Sequence, residues 1–147
     1  MPLLANITKS VTDRMPKVIS PDAHAIIDYA TAAGFIGMGI FMWKREKRAA
    51  ISSLVCGAAE ALTAVMTDYP GGLVKEISFE THGRIDVGMA GMVATMPGVM
   101  HFEDDPASRF FSMQAIMLAA VTGLTDFTGS GRPGQLSRLE KRQKRAA

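Results

Sequence analysis

Two histidine–aspartate pairs with the same spacing are the residues of this chain whose types best suit chemistry. His24 precedes Asp28 by four positions, and His82 precedes Asp86 by four positions in a later part of the chain. At this spacing the two side chains of a pair share one face of a helix. Imidazole nitrogen and carboxylate oxygen together suit zinc, manganese or iron. The two pairs are therefore a candidate site for a divalent metal.

A second motif recurs at the same offset as the histidines. Thr67-Asp68-Tyr69 is separated from Thr125-Asp126-Phe127 by the same length of chain that separates His24 from His82. Two separate motifs that share one period indicate two tandem copies of a single unit. The unit consists of His-x-x-x-Asp, an apolar stretch, a charged loop, a second apolar stretch and Thr-Asp-aromatic.

Four long apolar stretches must position these motifs. Glycine, alanine and methionine concentrate in them, as in closely packed membrane helices. Each stretch has about 18–23 residues, which is enough for a helix to cross roughly 30 Å of hydrocarbon. We predict an all-α, four-transmembrane-helix bundle, with a soluble four-helix bundle as the alternative. The predicted helices cover about 21–43, 49–67, 81–100 and 107–127.

The chain divides into four segments. Residues 1–19 alternate apolar and polar positions in a helical pattern, which predicts an amphipathic helix on the membrane surface. Residues 20–72 and 73–131 are the two repeats, each predicted to be a hairpin of two transmembrane helices. Residues 132–147 form a basic tail that could hold anionic lipid headgroups.

The distribution of positive charge predicts an orientation in the membrane. Four spans place both termini on one side, and that side holds eleven lysines and arginines against five on the other. By the positive-inside rule both termini are cytoplasmic. The net charge of +2 gives no indication of nucleic-acid binding, and the single cysteine, Cys56, excludes an intramolecular disulfide and a cysteine-based zinc site.

These motifs resemble the SPW-repeat family of prokaryotic integral membrane proteins. That family's unit opens with a His-x-x-x-Asp helix, and Thr-Asp-Tyr commonly closes its second helix. The resemblance covers about residues 18–127, but Met38-Gly39-Ile40 and Met96-Pro97-Gly98 stand where the Ser-Pro-Trp tripeptide is expected. It implies a multi-pass protein of the prokaryotic inner membrane and no established activity. The matching residues are His24, Asp28, Tyr29, Thr67, Asp68, Tyr69, His82 and Asp86.

The predicted topology gathers the repeated polar residues into one layer. Odd-numbered helices start and even-numbered helices end on the same side of the bundle. The layer could be structural, with hydrogen bonds that fix the register of the helices. It could also bind a divalent metal, or a haem between His24 and His82. Its expected members are His24, Asp28, Asp68, His82, Asp86 and Asp126.

Glu60 is the one charge near the middle of a predicted helix. Ionisable residues inside a membrane are candidates for ion or proton movement. Alternatively, Glu60 is a neutral carboxyl hydrogen-bonded to a serine, a threonine or Gln114 across the bundle. Leu118 occupies the equivalent place in the second repeat, so Glu60 does not belong to the shared scaffold.

The sequence favours a non-enzymatic function. It contains no catalytic triad order, glycine-rich phosphate loop or Cys-His pairing that stands out. We expect a structural or accessory membrane protein whose partners are the lipid bilayer and a second copy of the chain or a larger membrane complex. The alternative is a small ion- or metal-binding membrane protein.

Overall fold

The computed structural model describes residues 16–127, and these are mostly helical. The helices are α1 (Pro21–Met42), α2 (Lys47–Met66), α3 (Phe79–Val99) and α4 (Ala107–Leu124). Two short strands, β1 (Thr67–Asp68) and β2 (Ile77–Ser78), lie between α2 and α3. The all-α class is confirmed. The predicted N-terminal helix lies mostly outside the described residues, and the basic tail lies entirely outside them.

The two histidine-bearing helices begin in the same way. Ser20 Oγ accepts a hydrogen bond from the Ala23 amide at 3.3 Å, and Ser78 Oγ accepts one from the Thr81 amide at 3.2 Å. A serine in this position satisfies one of the amides left free at the start of a helix. Each cap therefore fixes where its helix begins, and a His-x-x-x-Asp pair follows within the first turns.

Glycines allow α1 and α2 to pack closely. A Cβ atom on Gly39 would lie 2.6 Å from Leu54 Cγ, and one on Gly57 would lie 2.9 Å from Ile36 Cγ1. The pair α3 and α4 forms the second hairpin. An apolar core joins the two hairpins, and its largest buried members include Phe35, Met89, Val93, Phe102, Phe111 and Leu118.

Two short parallel backbone bridges connect the hairpins at one end of the bundle. In one bridge Thr67, after α2, pairs with Ile77, before α3. In the other, Thr125, after α4, pairs with Ile19, before α1. The bridge positions thus repeat at the same offset as the histidines. The end of each even-numbered helix meets the segment that leads into the odd-numbered helix of the other hairpin.

Three of the described helices, α1, α2 and α4, are long and apolar enough to cross a membrane, by length and composition. The sequence predicted four, but α3 is not among the three, and it carries Glu80, Arg84 and Asp86 in its first turns. The outward faces nevertheless expose large apolar side chains, including Ile26, Ile40, Leu62, Val99, Met113 and Ile116.

Candidate functional site

The two His-x-x-x-Asp pairs meet in the interior of the bundle. We call His24, Asp28, His82 and Asp86 the His/Asp centre. All four residues are at most 3% exposed. The Nε2 atoms of His24 and His82 are 3.2 Å apart, so the imidazole rings point at each other from α1 and α3. The structure thus brings together all four residues that the sequence proposed as metal ligands.

Each carboxylate of the centre contacts both imidazoles. The Nε2 atom of His24 lies 3.3 Å from Asp28 Oδ1 and 3.2 Å from Asp86 Oδ2. The Nε2 atom of His82 lies 3.3 Å from Asp28 Oδ2 and 3.2 Å from Asp86 Oδ1. Both hairpins therefore contribute one histidine and one aspartate to a nearly symmetric arrangement.

The outer nitrogen of each ring contacts a threonine of the opposite hairpin. His24 Nδ1 lies 2.8 Å from Thr125 Oγ1, and His82 Nδ1 lies 2.7 Å from Thr67 Oγ1. These threonines are fully buried at the two backbone bridges. The bridges therefore deliver the hydroxyl groups to the histidines.

Tyr69 distinguishes one carboxylate from the other. Its hydroxyl donates to Asp28 Oδ2 at 2.8 Å. Burial first, and then the nearby Asp28 carboxylate, raise the pKa of the Tyr69 phenol above its ordinary value, so the phenol stays protonated and remains a donor. Phe127 follows Tyr69 at the offset that separates the two histidines, and it has no hydroxyl group to offer to Asp86.

Aromatic rings cover the centre. Phe79 and Phe127 make edge contacts with the His24 ring at centroid distances of 5.4 and 5.3 Å. Tyr69 lies 5.5 Å from the His82 ring. Because these rings exclude water, interactions between charged groups within the centre are stronger than at a protein surface.

Asp68 and Asp126 do not share one environment, although the sequence placed both in the polar layer. Asp126 is buried, whereas the Asp68 side chain is 63% exposed and lies 3.4 Å from Lys75 Nζ. Successive side chains of an extended segment point to opposite sides. Thr67 therefore points inward in β1 and Asp68 points outward, which excludes Asp68 from the centre.

Glu60 is buried in α2, one turn after the buried Cys56. Its Oε1 atom has no hydrogen-bond partner in the described part of the chain, and the same holds for Ser52 Oγ and Gln114 Oε1. Residues 16–127 therefore show no hydrogen bond between Glu60 Oε1 and Gln114 Oε1, which was one of the two interpretations of Glu60 from the sequence. Glu60 lies outside the His/Asp centre.

The geometry of the centre suits a small cation better than a haem. His24, His82 and Asp86 offer ligand atoms that all lie within 4.8 Å of one another. A haem would need its two axial nitrogens on opposite faces of the macrocycle. A separation of 3.2 Å between the Nε2 atoms leaves no space for the ring.

The sequence identified the Thr-Asp-aromatic motif but not the roles of Thr67, Thr125 and Tyr69. The sequence feature that could have indicated these roles is the recurrence of the motif at the same offset as the histidines. Comparisons with family models, with curated proteins and with solved structures found no match.

Proposed function

We propose that the protein is a multi-pass membrane protein of the SPW-repeat type with a non-enzymatic, structural or accessory role. In this proposal the His/Asp centre and its two threonines clamp the two hairpins together. The proposed location is a prokaryotic inner membrane with both termini in the cytoplasm. The bilayer is the expected partner, together with a second copy of the chain or a larger membrane complex.

The observation that carries the clamp is the exchange of partners between hairpins. The histidine of each hairpin contacts the threonine of the other, and its Nε2 atom contacts the aspartates of both. In lipid, apolar surfaces alone give little preference for one helix neighbour over another. Buried polar contacts between helices then fix which neighbours pack and in which register.

Removing the threonine hydroxyls tests the clamp. We expect Thr67→Val and Thr125→Val each to lower the stability of the detergent-solubilised protein by roughly 0.6–2 kcal/mol, since each removes one contact between the hairpins. The matched control is Thr95→Val, because the Thr95 hydroxyl is exposed and bonds only within α3, to the carbonyls of Gly91 and Met92. Equal melting temperatures for all three variants would refute the clamp.

Reporter fusions test the membrane arrangement. A reporter fused after Gly72 or after Gly131 should be active in the cytoplasm, and one fused after Lys47 should be active outside it. A cytoplasmic reporter at Lys47 would contradict the proposed topology. This result is independent of the clamp, since it concerns the spans and not the polar contacts.

A second candidate function is the binding of a divalent cation at the same centre. The specific observation in its favour is the convergence of two Nε2 atoms and two carboxylates within 3.2–3.3 Å. Nitrogen and oxygen ligands of these types are typical of zinc, manganese and iron sites.

A further inference from the structure

The two threonine hydroxyls determine which nitrogen of each histidine carries a proton. Thr67 Oγ1 donates its hydrogen to the Thr63 carbonyl at 2.6 Å, and Thr125 Oγ1 donates its hydrogen to the Val121 carbonyl at 2.7 Å. A hydroxyl has one hydrogen to donate. Each threonine can therefore only accept from its histidine, so both Nδ1 atoms must be protonated.

With Nδ1 protonated, a neutral imidazole presents a lone pair at Nε2. The two Nε2 lone pairs then face each other at 3.2 Å and face carboxylate oxygens at 3.2–3.3 Å. A proton on one Nε2 atom would let that ring donate to the other ring or to a carboxylate, whereas protons on both Nε2 atoms would place two N–H groups against each other at the same distance. The centre is thus a set of converging acceptors that is stabilised by positive charge placed among them.

The 3.2 Å between the two Nε2 atoms matches the edge of a small coordination tetrahedron. With metal–nitrogen and metal–oxygen bonds of about 2.0 Å, two tetrahedral ligands lie about 3.3 Å apart. Asp86 is the better placed carboxylate ligand, since Tyr69 donates to Oδ2 of Asp28. The three residues whose ligand atoms lie mutually within 4.8 Å are His24, His82 and Asp86.

We infer that the His/Asp centre binds one divalent cation of the zinc class through His24 Nε2, His82 Nε2 and Asp86, with Asp28 balancing its charge. Thr67 and Thr125 are positioning residues that hold both imidazoles with Nδ1 protonated and Nε2 free. Such second contacts to metal-bound histidines orient the rings. Two neutral imidazoles and two carboxylates carry a charge of −2, which a divalent cation neutralises. This inference deepens the second candidate function and rests on the same centre.

Elemental analysis of the full-length chain tests the inference. The protein is purified in detergent through a tag that does not bind metals, and its zinc, manganese and iron contents are measured against protein. We expect about one such ion per chain. Protein stripped with a chelator should rebind one equivalent of Zn²⁺, and its melting temperature should rise because the ion binds only the folded form.

Matched variants separate the site from surface histidines and carboxylates. His24→Gln and Asp86→Asn should lose the stoichiometric ion, whereas His101→Gln and Asp68→Asn should keep it, since these two residues are exposed. Thr67→Val should retain the ligands but weaken Zn²⁺ binding roughly 10–100-fold. Circular dichroism confirms that each variant is helical before its metal content is compared.

Two results would overturn the metal site. One is a helical wild-type protein that neither contains nor rebinds a transition metal. The other is a folded His24→Gln variant that keeps its ion. A clamp without metal would still appear as lower stability of the Thr67→Val and Thr125→Val variants in chelator. Failure of the metal site is thus distinguishable from failure of the clamp.

Discussion

The two halves of the His/Asp centre are built alike but are not chemically equal. Asp28 receives a hydrogen bond from Tyr69, while Phe127, which follows Tyr69 at the offset that separates the two histidines, packs against the His24 ring. The Phe127 ring also lies against Gly83, where a Cβ atom would be 2.9 Å from it. One half therefore fixes its carboxylate with a phenol donor, and the other has a phenylalanine in place of that donor.

A second difference lies deeper in the bundle. Glu60 in α2 and Leu118 in α4 are separated by the same offset as the two histidines, and both are buried. One hairpin thus buries a carboxyl group where the other buries an isobutyl group. Both halves share the caps, the bridges and the histidines, which build the architecture. Tyr69 and Glu60 occur in one half alone.

The largest expected effect comes from removing the carboxylates in turn. Asp28→Ala and Asp86→Ala each remove one of the two buried carboxylates that contact both imidazoles, and we expect each to cost about 3 kcal/mol of stability. Asp28→Ala also leaves the Tyr69 hydroxyl without its acceptor, so it should cost about 1 kcal/mol more than Asp86→Ala. Unfolding is measured in detergent with chelator present, so that loss of an ion does not contribute.

The control for this pair is Asp68→Asn. Its side chain and that of Lys75 are both more than half exposed, and such surface pairs contribute about 0–1 kcal/mol. Equal losses for Asp28→Ala and Asp86→Ala would show that the Tyr69 hydrogen bond does not distinguish the halves.

Adding one methyl group to the second half should have an intermediate effect. Ala25 follows His24, whereas Gly83 follows His82. Gly83→Ala forces a methyl group against the Phe127 ring, and we expect it to cost about 1–3 kcal/mol. Gly88→Ala is the matched control, since no atom lies within 4 Å of its added Cβ, and it should be neutral or stabilising by up to about 1 kcal/mol. Thermal unfolding of both variants gives the comparison.

The smallest effect is expected from Tyr69→Phe, which makes the first half resemble the second. It removes one hydrogen bond and should cost about 1 kcal/mol. Because folding raises the pKa of Tyr69, the stabilisation is complete below about pH 10, the pKa of an exposed tyrosine, and declines as the pH rises beyond it. The stability difference from wild type should therefore shrink in alkaline solution. A difference independent of pH would contradict this account.

The convergence of the histidines and aspartates could be predicted from the sequence. Because the histidine and the aspartate of each pair are four residues apart, they lie on one helix face. Because successive helices run in opposite directions, α1 and α3 both start at the same end of the bundle. The serine caps at Ser20 and Ser78 follow the same local logic, because capping depends on residues close in sequence. For this reason the observed bounds of the four helices differ from the predicted bounds by only a few residues.

The positions of Thr67 and Asp68 could not be predicted in the same way. Their inward and outward directions depend on the extended backbone of β1, which pairs with β2 further along the chain. A helix continued through Thr67, as the sequence suggested, would have given these side chains different directions. The contact between His24 and Thr125 likewise depends on the arrangement of the whole bundle.

The bridge between Ile19 and Thr125 has a consequence for how the chain is made. His24 and its threonine partner are separated by 101 residues, which a ribosome needs roughly 5–20 s to synthesise. During that interval α1 exists with His24 and Asp28 but without the residue that orients the imidazole. The second helical hairpin therefore completes the first, and a nascent chain stalled before Thr125 would hold His24 without the hydroxyl group that orients its ring.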